Sequence, residues 1–90
     1  MKKKEVEIYS DVSNMVVMRH PDREFPGSLI QGDTLHCLIQ DLTEAKEELD
    51  TGNSEEASEI LSNVIESPND RLKHYKNVLK EHNCELPFIE

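Results

Sequence analysis

Ninety residues make one small domain that can fold on a single core but is too short to enclose a deep cleft between two lobes, which argues against a large buried active site. Cys37 and Cys84 stand far apart and in no metal or redox spacing, so the pair reads as two free thiols of a cytoplasmic protein and not as a disulfide framework. The net charge of -9 disfavours nucleic acid and anionic membrane; no apolar run approaches the roughly 20 residues of a spanning helix, and Glu5 and Glu7 follow Met1-Lys2-Lys3-Lys4 where the apolar part of a signal peptide would have to begin.

The first predicted element is a strand over Glu5-Val6-Glu7-Ile8-Tyr9, whose alternation puts Val6 and Ile8 on the buried face and Glu5, Glu7 and Tyr9 on the other. Ser10-Asp11-Val12-Ser13-Asn14 is a turn of short polar side chains. Met15-Val16-Val17-Met18 is apolar on both faces and suits a central strand. His20-Pro21-Asp22-Arg23 reverses the chain, and Pro26-Gly27 suits a type II turn with Gly at the third position. Ser28-Leu29-Ile30-Gln31 then supplies a third strand, completing an antiparallel meander over residues 5–31.

Gly32-Asp33-Thr34 marks the passage from sheet to helix, with Asp33 or Thr34 as the cap. Leu35, Leu38, Ile39, Leu42 and Leu49 recur at helical spacing up to a stop at Gly52, with Lys46 the one charged residue near the stripe. Ser54 caps a second helix, with Glu55 and Glu56 in its first turn and an apolar stripe of Ala57, Ile60, Leu61, Val64 and Ile65; the two helices make an antiparallel hairpin. Ser67-Pro68-Asn69-Asp70 has the form of a third helix start, with Leu72, Tyr75, Val78 and Leu79 as the buried side and Asn83 as the end. The expected fold is therefore α+β: a single domain, 1–90, with a three-stranded antiparallel sheet over 5–31 followed by three helices over 33–83. The extended tail, 84–90, is composed to pack back on the sheet or to add an edge strand, Pro87 barring it from a central place.

Catalytic chemistry finds little support. His36 and Cys37 are neighbours on a helix and point about 100° apart, and His82-x-Cys84 lacks two further ligands, so neither a metal nor any cofactor is expected. Paired carboxylates abound from 41 to 59, but they lie on the outward side of an amphipathic hairpin and not in a desolvated cleft.

The charge distribution is more informative. Residues 1–32 carry five bases and five acids, residues 68–90 carry four of each, and residues 33–67 carry ten acids against Lys46 alone. A field of one sign on one part of a small domain favours a basic partner. The reading is a non-enzymatic protein-binding module whose partner-facing residues are Asp41, Glu44, Glu47, Glu48, Glu55 and Glu59. The alternative is a small-ligand or enzymatic site at the sheet-to-helix junction built from Arg19, Arg23, Gln31 and Asp33, although Arg19, Arg23 and Gln31 are better suited to holding turns through backbone carbonyls. The chain is expected to be a monomer or a weak homodimer, in the latter case through an uncovered sheet face bearing Met15 and Val17.

The run Asn14-x-x-Val17-x-Arg19-x-Pro21-x-Arg23-x-Phe25-Pro26-Gly27-x-x-x-Gln31-Gly32-Asp33-x-Leu35 resembles the signature of a family of small uncharacterised bacterial proteins with Pro-x-Arg-x-Phe-Pro-Gly and Gln-Gly-Asp-Ser-Leu patterns. The resemblance covers about the first 40 residues; Thr34 stands in place of the Ser and Asp22 where a Gly is common. It implies no activity. In size and charge the chain is also similar to the immunity proteins that neutralise bacterial toxins, so that the basic partner would be a toxin; this is an analogy of class without a motif.

Overall fold

The computed structural model describes residues 1–90. Three short strands, β1 (Glu7–Ser10), β2 (Val17–Arg19) and β3 (Gly27–Ser28), precede two long helices, α1 (Gly32–Asp50) and α2 (Ser54–Glu81). The sheet is an antiparallel meander in the order β1-β2-β3. Two compact units make up the chain: Met1–Ile30 together with Arg71–Glu90, and Gln31–Asp70.

The first unit holds the core. Val17, Tyr75, Val78 and Leu79 are its buried cluster, with Tyr9, Cys84 and Leu86 packed against it. Val17 at 1 % and Leu79 at 0 % exposure are the two largest wholly buried side chains, each contributing on the order of 1.5–3 kcal/mol by its removal from water. Polar side chains from the last turns of α2 complete the fit. The Arg71 guanidinium donates to the carbonyls of Asn14 (2.9 Å) and Leu29 (3.0 Å), which satisfies two backbone acceptors on either side of β2. The Tyr75 hydroxyl donates to the buried carbonyl side of Pro26, and His74 meets Ser10 Oγ at 3.1 Å.

The bulge in β1 changes which side chains are covered. Ile8 pairs with Met18 and Ser10 with Val17, so Tyr9 is an extra residue opposite the β2 backbone. A residue inserted this way breaks the alternation; Tyr9 is half-buried against the core, while Ile8 is 59 % exposed. The expected outward Tyr9 and inward Ile8 are thus exchanged. Gly27 lies within β3 and has no positive φ, so Pro26-Gly27 is not a type II turn; β3 is only two residues long, extended by the Leu29 amide donating to the Val16 carbonyl at 2.9 Å.

The expectation of three helices is corrected to two. Ser67-Pro68 opens no new helix, because α2 runs unbroken from Ser54 to Glu81 with Pro68 inside it. Proline removes the amide that would bond the Val64 carbonyl, but it does not force a break where the buried face continues in phase. Here it does continue: Ala57, Ile60, Val64, Arg71, Tyr75 and Val78, all buried or half-buried, succeed one another in steps of three, four or seven across Pro68. A cap at Ser67 would require an extended residue there, and the helix passes through it.

Both helix ends follow one design. At the end of α1, Gly52 takes φ 83° while its amide donates to the Leu49 carbonyl and that of Asn53 to the Glu48 carbonyl. At the end of α2, Asn83 takes φ 55°, its amide donates to the Lys80 carbonyl, and that of Cys84 to the Leu79 carbonyl. These paired bonds close both ends on their last orphan carbonyls. The N-termini depart from expectation: α1 begins after Gln31 with no side-chain cap, Asp33 Oδ1 merely accepting the Thr34 amide, and α2 begins after Asn53, whose carbonyl accepts the Ala57 amide. The tail 84–90 forms no strand; Leu86 packs on the core, and Glu90 pairs with Lys76.

Candidate functional site

The unit Gln31–Asp70 is a helical hairpin joined by the short connection Thr51-Gly52-Asn53. Its buried residues are Ala45 at 3 % and Ala57 at 2 % exposure, and they mark the line along which the helices face each other. Thr34 and Leu38 of α1 and Ile60 and Val64 of α2 lie half-buried on the same inner rows, and Glu48 is half-buried at their edge.

One residue further round each helix, a rotation of about 100°, stands a second row. On α1 it is Leu35, Ile39, Leu42, Lys46 and Leu49; on α2 it is Ser54, Ser58, Leu61, Ile65 and Pro68. Because the chain reverses between the helices, the same rotation turns both rows to the same side of the hairpin. Leu35, Ile39, Leu42, Leu49, Leu61 and Ile65 are between 39 % and 57 % exposed there. No carboxylate lies in either row. The single charge, Lys46, donates to both carboxylate oxygens of Asp50 at 2.8 Å.

The acids occupy the other sides. Asp41, Glu44 and Glu48 run along the opposite flank of α1, with Cys37 in the same row, and Glu47 faces outward beside them. Glu48 is partly held by the Asn53 amide group, which donates to its Oε2 at 2.8 Å. Glu55 and Glu59 lie on the side of α2 turned away from α1, so the helical phase gathers three of the six acids expected to face a partner, Asp41, Glu44 and Glu48, and turns Glu47, Glu55 and Glu59 outward. Glu56, expected only as a first-turn carboxylate, falls on the same flank as Asp41, Glu44 and Glu48. The signal for it was its place immediately before Ala57 on the wheel, which becomes readable once Ala57 is known to be the innermost residue.

The junction residues are divided. Arg19 pairs with Glu7 and donates to the Arg23 carbonyl at 2.9 Å, and the Glu7 carboxylate, through that bond, holds the guanidinium pKa above its ordinary value. Arg19 thereby fixes the turn that Arg23 leaves. Arg19 and Arg23 belong to the sheet unit, Gln31 and Asp33 to the hairpin. A sheet face bearing Met15 and Val17 is not open for dimerisation either, since Val17 is 1 % exposed within the chain itself.

An open groove of about 340 Å³ in the sheet unit is lined by Glu7, Ile8, Tyr9, His82 and Cys84. His82 stacks at a tilt on Tyr9, ring centroids 4.9 Å apart, and its Nε2 lies 3.2 Å from the Tyr9 carbonyl oxygen. A carbonyl only accepts, so Nε2 carries the proton and is not a base in this arrangement. Cys84 Sγ in turn faces the His82 carbonyl at 3.5 Å, so the pair is not arranged as an activated thiolate and its base. No group of three or more His, Cys, Asp or Glu side chains is placed to hold a metal ion, both cysteines are free, and no helix is long and apolar enough to cross a membrane.

Fold and surface together define a small α+β protein in which a sheet unit closed by the end of a long helix is joined to a two-faced helical hairpin. The chain belongs to a family of unknown function, DUF6959, whose model matches residues 1–88. No curated protein and no solved structure matches it.

Proposed function

We propose that the protein is a non-enzymatic binding module whose helical hairpin docks its acidic flank on a basic protein surface. The observation that supports the reading is the confinement of the entire charge excess to residues 33–67, with Asp41, Glu44, Glu48 and Glu56 sharing one flank of the hairpin there. Carboxylates held on rigid helices create a directed field that steers a positive partner and raises its association rate. The sharper form of the proposal is an immunity-type inhibitor whose partner is a toxin with a basic active surface, such as a nuclease.

The test is affinity capture from the protein's own cells by the wild-type chain and by a variant carrying Asp41→Lys, Glu44→Lys and Glu48→Lys. The wild type is expected to retain a basic protein whose association slows steeply with salt, and the variant to lose it. Equal capture by both chains would overturn the proposal. Inhibition of a captured nuclease by the wild type alone would establish the immunity form.

A further inference from the structure

We infer that the apolar flank of the hairpin is the interface between two copies of this chain. Three observations lead there. First, the hairpin has almost no interior of its own: of its forty residues only Ala45 and Ala57 are buried, while Leu35, Ile39, Leu42, Leu49, Leu61 and Ile65 stay 39–57 % exposed on one side. A unit of this size seldom holds together without a further source of burial such as oligomerisation. Those six side chains present roughly 500 Å² of apolar surface, near the upper end for the largest patch on a monomer, and two copies would remove roughly 1,000 Å² in total, the level at which specific association begins.

Second, the spacing on both helices is that of a helical seam. Leu35-Ile39-Leu42-Lys46-Leu49 and Ser54-Ser58-Leu61-Ile65-Pro68 each alternate steps of four and three. Rows of this kind insert into matching rows of other helices, and a hairpin that offers two of them side by side is completed by a second hairpin, giving four helices.

Third, the charges select the occupant. A chain of net charge -9 repels its own copy on every side that carries the excess acids. The apolar flank carries none, and the ammonium of Lys46 is neutralised by Asp50 of the same helix. This side offers no charge by which a foreign partner would be chosen, and it is the side on which an identical acidic chain can approach with its carboxylates turned away. A two-fold arrangement pairs the patch with itself and closes. The acidic flanks of both copies remain free.

Sedimentation equilibrium of the full chain over a wide concentration range tests this. The wild type is expected at twice its mass of 10.4 kDa, with association that persists or strengthens as salt is raised. Ile39→Lys combined with Ile65→Lys is expected to give a monomer, and Glu44→Lys, on the other flank, to leave the dimer in place. Lys46→Leu puts an apolar side chain into the seam and is expected to tighten the dimer by about tenfold. A wild-type monomer at the highest concentration, a dimer that survives both lysines, or a dimer indifferent to Lys46→Leu would each overturn the inference; the first needs no variant to fold.

Discussion

The hydroxyl of Tyr75 donates to the carbonyl oxygen of Pro26 at 2.6 Å, across 49 positions of sequence. The ring is 6 % exposed, and this bond satisfies its one polar atom inside the core of the sheet unit. Tyr75→Phe leaves the carbonyl without that donor and is expected to lower stability by about 1–2 kcal/mol in denaturant unfolding, with the fold retained.

The same burial gives a pH signature. Desolvation raises the Tyr75 phenol above its ordinary value, with the Cys84 thiolate adding to the effect, so the folded chain resists an ionisation that the unfolded chain undergoes freely. Stability from this source is complete below the unfolded tyrosine value of about 10 and is lost as pH rises from there through the higher folded value. Unfolding free energy measured against pH is expected to fall more steeply on the alkaline side in the wild type than in Tyr75→Phe.

Arg71 differs from an ordinary helix-surface arginine in that it reaches two carbonyls, of Asn14 and Leu29, from one helix position. Arg71→Met keeps the length of the stem and removes the donors. A loss of about 1.5–3 kcal/mol is expected, the range for hydrogen bonds to a charged group. Arg71→Lys should recover only part of it, since an ammonium lacks the planar fork.

Pro68 gives a change in the opposite direction. Inside α2 it removes one amide from the helix, and alanine at that place restores the bond to the Val64 carbonyl. Pro68→Ala is expected to stabilise the chain by about 1–3 kcal/mol, seen as a higher thermal midpoint in circular dichroism at the helical band.

Gly52 and Asn83 hold equivalent places at the two helix ends, φ 83° and 55°, with different residues. Gly52→Ala is expected to cost about 1 kcal/mol, because a side chain is strained in the left-handed region. Asn83→Gly is expected to be neutral or slightly stabilising, and thermal melts of the two variants compare the sites directly.

Those two helix ends were legible in the sequence because each depends on one residue and its immediate neighbours. The meander and the amphipathic rows of α1 and α2 were legible for a similar reason, periodicity being local. What was not legible depended on residues far away. Tyr9 turns inward because of a bulge whose partner is Val17, and Gly27 stays extended because it pairs with Met18. At Pro68, Ser-Pro-Asn-Asp is a sound start signal taken alone, but the seven-residue phase kept by the covered residues Ala57, Val64, Arg71 and Val78 outweighs it. On the hairpin, counting acids found the charge but not its facing. That needed the inner line through Ala45 and Ala57, and two small residues amid larger apolar ones give little reason to be placed at the centre.

The sheet unit is discontinuous in the chain, residues 1–30 being completed by 71–90. During synthesis, β1, β2 and β3 leave the ribosome before Arg71, Tyr75, Val78 and Leu79 have been made, and for that interval Val17 has no core to enter. Contacts such as that of Arg71 with Asn14, 57 residues apart, close only once the end of α2 is available, so a nascent chain stopped short of it leaves Val17 and its side of the sheet uncovered.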